Sequence, residues 1–143
     1  MSITQPEFDY LIQLKKEFQK RDELLLGPAP LKWSRDIISL FSKDAFLLDY
    51  YRGSLEIKKY TYNKRYRTSI PLVRFDSFGR HTNPDGQKFV GPHIHIYKEG
   101  FDDKFAYPID SIGADLSTSM QEVLVKFLKY CNIQNIPPIQ LTF

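Results

Sequence analysis

All three histidines of the chain, His81, His93 and His95, fall within fifteen positions. An imidazole offers a neutral nitrogen donor near neutral pH, so such a cluster points to metal coordination or to acid–base work. His93-Ile94-His95 reads as part of a strand. Alternation then puts both imidazoles on one face, with Ile94 and Ile96 on the other. His81 stands ahead of the turn signal Asn83-Pro84-Asp85-Gly86, which can fold it back over that strand. Three imidazoles and one further ligand make a tetrahedral Zn2+ site, one ion per chain. Asp76 is the first choice of fourth ligand, because it ends the preceding strand and is held more rigidly than a loop residue. Asp85, Asp102, Asp103 and water are the alternatives. A carboxylate closes the site and makes it structural, whereas water leaves it open for hydrolysis.

The same histidines allow a metal-free reading. Paired imidazoles serve as general base and general acid in ribonuclease chemistry, given a basic group for the phosphate, and Arg74 and Arg80 lie nearby in sequence. The plain alternative is polar-face strand residues and an ordinary loop histidine.

A second group of residues could recognise rather than react. Lys58, Lys59, Lys64, Arg65 and Arg67 interleave with Tyr60, Tyr62 and Tyr66. Cations contact phosphates and tyrosines stack on bases, so this segment could bind nucleic acid directly or dock on a nucleic-acid-handling protein. Its bland counterpart is a solvated hairpin with lysines protecting an edge. Cys131 reads as a small buried hydrophobe. Trp33 and the Tyr50-Tyr51 pair read as sheet packing, with tyrosine pairs also recurring at interfaces. Glu99, Asp102 and Asp103 form an acidic tip after the histidine strand. No P-loop, dinucleotide fingerprint, Gly-x-Ser-x-Gly elbow or His-Glu-x-x-His helix is present.

These residues need a frame. A capping-box spacing at Thr4 and Glu7, with Pro6 in the first turn, predicts a helix from Pro6 to Arg21. Period-two patterning predicts six strands: Lys32–Ser42, Ala45–Arg52, Leu55–Asn63, Thr68–Asp76, Phe89–Lys98 and Lys104–Ile109. The short breaks at Lys43-Asp44 and Gly53-Ser54 imply an antiparallel meander. Thr118 or Ser119 caps a last helix whose stripe is Met120, Val123, Leu124, Phe127, Leu128 and Cys131. Asn132 and Pro137-Pro138 end it. The expectation is one α+β domain over residues 1–143, an antiparallel sheet flanked by an N-terminal and a C-terminal helix.

Composition sets outer bounds. The 143 residues are 42% hydrophobic and 26% charged, which is globular. A formal charge of +3 excludes an acidic DNA mimic without demanding nucleic acid. One cysteine and no apolar leader or membrane-length run fit a reducing, cytoplasmic setting away from membranes.

The run His81-Thr82-Asn83-Pro84-Asp85-Gly86, then Gly91-Pro92-His93-Ile94-His95-Ile96-Tyr97, then Lys104-Phe105-Ala106-Tyr107-Pro108 resembles a family of small uncharacterised bacterial and phage proteins. The resemblance spans roughly a quarter of the chain, Val73 to Ile109. It implies a mobile-element setting, like that of zinc-containing anti-CRISPR proteins that block an RNA-guided type II nuclease, and like that of toxin–antitoxin modules. The expected function is therefore a zinc-binding inhibitor that binds a host defence complex. A nuclease of a toxin module and a nucleic-acid-binding module are the alternatives.

Overall fold

The structure, a computed structural model, describes residues 2–28, 30–62 and 67–142, with backbone alone at 61, 62, 67 and 68. Among these, helix α1 (Gln5–Gln13) starts as its sequence dictates. The Thr4 hydroxyl accepts the Glu7 N–H, and the Glu7 carboxylate accepts the Thr4 N–H, both at 3.2 Å.

The helix stops eight residues short of the expected Arg21. Leu14 turns extended (φ −56°, ψ 134°), and Lys16–Phe18 becomes strand β1. The segment carries two periods at once, because Lys16 and Phe18 are buried in strand alternation with Glu17 between them. Pairing on both edges decides the outcome. β1 lies antiparallel to β3 (Lys32–Ser39) and parallel to β11 (Ile133–Gln134). Tertiary hydrogen bonding overrides a modest helix propensity here.

The remaining strands are β2 (Leu24–Leu26), β4 (Ala45–Tyr51), β5 (Ser54–Tyr62), β6 (Arg67–Asp76), β7 (Arg80–Thr82), β8 (Lys88–Val90), β9 (His93–Ile96), β10 (Ala106–Tyr107) and β12 (Ile139–Leu141). The main sheet runs β10-β9-β6-β5-β4-β3-β1-β11. β3 to β6 form the expected antiparallel meander. The fold is α+β and mostly antiparallel, with more strands than the six expected. Its parallel pairs are β1 with β11 and β2 with β12.

The expected strand Phe89–Lys98 is two strands in two sheets. Gly91 takes φ 87°, and Pro92 lacks an amide donor, so the ladder breaks between β8 and β9. The expected strand Lys104–Ile109 contracts to β10, because a 3-10 turn starts at Ile109 after Pro108.

Helix α2 (Met120–Tyr130) is capped by Ser119 and buries Val123, Leu124, Phe127 and Leu128. With Phe8 and Leu11 of α1 it packs on Ile37, Phe46, Leu48, Leu55, Phe75 and Ile94 in one apolar cluster. Alternation then assigns the other face of the sheet to polar residues. Cross-strand register sets Ser34, Asp49, Glu56, Arg74 and His95 in one row, and Tyr51, Ser54, Asp76 and His93 in the next. No helix among the described residues is long and apolar enough to cross a membrane.

Candidate metal centre

His93 and His95 share one face of β9, as the spacing requires, and their ring centroids are 4.9 Å apart. They lie on the polar face yet are only 3% and 2% exposed. The β7–β8 ribbon covers them. His81 stacks on His93 at 5.9 Å and meets His95 edge-on at 4.6 Å.

Each imidazole is oriented by a backbone carbonyl. His93 Nδ1 donates to Gly91 O at 2.8 Å, His95 Nδ1 to Asp103 O at 2.8 Å, and His81 Nε2 to Lys104 O at 2.7 Å. A carbonyl only accepts, so the proton sits on those nitrogens and the opposite nitrogen keeps its lone pair in the neutral ring. This is the outer-shell pattern that fixes metal-ligating histidines.

For His93 and His95 the opposite nitrogen is Nε2, and both point at Asp76. The distances to Asp76 Oδ2 are 3.5 and 3.3 Å. The donor atoms of Asp76, His93 and His95 all lie within 4.8 Å of one another. Burial raises the Asp76 carboxyl, but its contacts with His95 and the Ser54 hydroxyl and the Arg74 charge outweigh it and hold the group well below the usual carboxylate range. Burial pushes the His93 imidazole towards its neutral form. Two imidazole nitrogens and one carboxylate oxygen at this spacing make a donor set that can hold a metal cation.

Arg74 lies beside this set. Its Nη2 donates to His95 Nε2 at 3.0 Å, its Nε approaches Asp76 Oδ2 at 3.3 Å, and its Nη1 bonds the Asp103 carboxylate at 3.0 Å. The guanidinium therefore competes for two of the three donors. Asp103 anchors it rather than joining the donor set. Asp102, at φ 51°, bridges backbone-to-backbone with Lys98, and the Asp85 carboxylate accepts the Gln87 N–H inside its turn. His81 borders the set without sharing its 4.8 Å grouping.

One positioning residue lies within the turn signal but had no role read for it. Asn83 is buried, and its amide copies a strand edge. Its Nδ2 donates to Ala106 O at 2.9 Å and its Oδ1 accepts Ala106 N–H at 2.8 Å. This clamps the ribbon to β10 and so sets His81 over the site. Asn83→Ala leaves both Ala106 backbone groups unpaired there. We expect stability to fall by about 2–3 kcal/mol in urea unfolding.

The basic–aromatic segment divides. Lys58 pairs with Asp49 at 2.9 Å and Glu56 at 3.7 Å, and Lys59 pairs with Asp44. Both charges are therefore already matched on the sheet. Tyr60 is half-buried. Lys64, Arg65 and Tyr66 lie outside the described residues, as do the side chains of Tyr62 and Arg67.

Residues 3–133 match a family described as "Family of unknown function (DUF6978)". The chain belongs to that family. No curated protein and no solved structure matches it. The DUF6978 match reaches far beyond the Val73–Ile109 run, taking in α1, the meander and α2 together with the histidine face.

Proposed function

We propose that this DUF6978 protein binds one zinc ion at Asp76, His93 and His95 as a structural centre, with His81 completing the shell. The reading is carried by the convergence of two carbonyl-oriented imidazoles on an ionised carboxylate. Nitrogen and carboxylate donors in a four-coordinate shell suit zinc. The burial of both β9 histidines supports a closed, non-catalytic site.

At the level of the cell, the proposal is a phage- or mobile-element-encoded inhibitor acting in the host cytoplasm. It is anti-CRISPR-like, binding an RNA-guided type II effector nuclease directly. This part rests on the resemblance of the His81–Pro108 run. The test adds purified protein to a guide-loaded type II nuclease with labelled target DNA. Loss of cleavage and co-elution of the two proteins are expected. Full cleavage with no complex at micromolar concentrations sinks the inhibitor reading.

One contact favours a second reading. A guanidinium 3.0 Å from His95 Nε2, beside another imidazole, matches a phosphate-binding group in acid–base phosphodiester cleavage. A nuclease of a toxin module would then degrade labelled RNA with chelator present, and Arg74→Gln would abolish that.

A further inference from the structure

We infer that the cleft between the β4–β5 turn and the start of the β6–β7 connection binds single-stranded nucleic acid by stacking bases on Tyr51 and Phe78. The cleft has a volume of about 980 Å³, and Leu31, Lys32, Tyr51, Arg52, Ser77 and Phe78 contribute to its walls. This is in the size range of ligand sites. It lies next to Asp76 in the chain but shares no residue with the metal-binding set, and the inference stands without it.

Three observations carry it. The two rings are 66% and 75% exposed, and neither packs on another aromatic ring among the described residues. Such large apolar faces left in water on one cleft are poised for a flat partner. The cations are uncommitted as well. Neither Lys32 nor Arg52 has a carboxylate within ion-pair distance among the described residues, whereas Lys58 and Lys59 on the neighbouring strand both do.

The platform is also built rather than loose. Gly53 takes φ 83° in the β4–β5 turn, and its carbonyl accepts the Ser77 N–H at 2.8 Å. A Cβ at Gly53 would stand 2.5 Å from Ser77 Oγ and 3.5 Å from the Phe78 ring. The turn thus seats the residues that carry Phe78. Two exposed rings and two unpaired cations on one cleft match unpaired bases on a phosphate chain, since every base has a stacking face and every phosphate a charge. A duplex hides those faces. The cleft lies at the Ser54 end of β5, opposite the Tyr62 end where the sequence places its basic–aromatic run.

The test is fluorescence anisotropy of a short labelled oligothymidylate titrated with the full chain. Chelator is present throughout, so the outcome does not depend on the metal reading. Saturable binding is expected, weakened roughly tenfold by Tyr51→Ala and again by Phe78→Ala. Arg52→Ala should reduce the salt slope by about 0.7. Phe41→Ala, at an exposed ring on the β3–β4 turn, should change nothing. All of these positions are exposed, so the variants fold. The inference is overturned by absence of saturable binding at low salt, or by affinity indifferent to both rings. Equal affinity for a duplex overturns it, as does equal competition by polyglutamate, which would give the cleft to an acidic protein segment.

Discussion

If Asp76, His93 and His95 hold zinc as proposed, His93→Ala abolishes stoichiometric zinc binding and weakens affinity by more than about 100-fold. Losing an outer-shell partner alone lowers metal affinity by roughly 10–100-fold, and this change removes a proposed ligand itself. Metal content by plasma mass spectrometry is the direct measurement. One zinc per wild-type chain and none in the variant is the expected pair of results, and no metal in the wild type refutes the centre. Thermal melting gives a second reading. A zinc site of this kind, at about 1,000 times its dissociation constant, is expected to add about 4 kcal/mol to wild-type stability. The variant gains nothing from added zinc. Arg74→Gln separates the two functional readings. It removes a cation that competes for His95 Nε2 and Asp76 Oδ2, so zinc binds at least as tightly. In the acid–base reading the same change eliminates cleavage.

Lys16→Met destabilises the fold by about 3 kcal/mol, because the buried ammonium joins both helix ends. Lys16 is 0% exposed, and its Nζ donates to Ile12 O at 3.2 Å, Leu14 O at 3.0 Å and Cys131 O at 2.8 Å. It also sits 5.0 Å from the centre of the Phe46 ring. Two effects oppose. Burial lowers the lysine from 10.5 to about 8, so holding the ammonium charged costs on the order of 3 kcal/mol, and methionine removes that term. Methionine also strands one buried carbonyl (Cys131) and two part-buried ones (Ile12 and Leu14) at about 1–3 kcal/mol each, and backbone acceptors cannot be substituted away. The carbonyl term is the larger.

The lysine also sets a pH dependence with a definite sign. Its folded value lies below its unfolded value, so the unfolded chain holds more protons between about pH 8 and 10.5. Stability from this group therefore rises with pH across that window. Urea unfolding of both proteins through that range checks both statements. An equally stable methionine variant, or one that keeps the slope, refutes them.

Local chemistry made much of this molecule legible in its residues. The capping box at Thr4 and Glu7, the Ser119 cap with its apolar stripe, and the alternation of β3 to β6 are short-range signals, and each element forms where they lie. Period two also put His93 and His95 on one face, and it took the β6–β9 register to bring Asp76 within reach of them.

What only tertiary structure decided involves partners distant in sequence. Lys16–Phe18 could be helix or strand until β3 and β11 supplied hydrogen bonds on both edges. Phe89–Lys98 looked continuous until Gly91 and Pro92 sent its halves to different sheets. The role of Asn83 depends on Ala106, twenty-three positions away, and that of Arg74 on Asp103, twenty-nine away. The charges of Lys58 and Lys59 seemed free for a partner until the register set Asp49 and Asp44 beside them. A sequence gives each residue its donors, acceptors and charge, but which of them are already satisfied depends on contacts that local pattern does not encode.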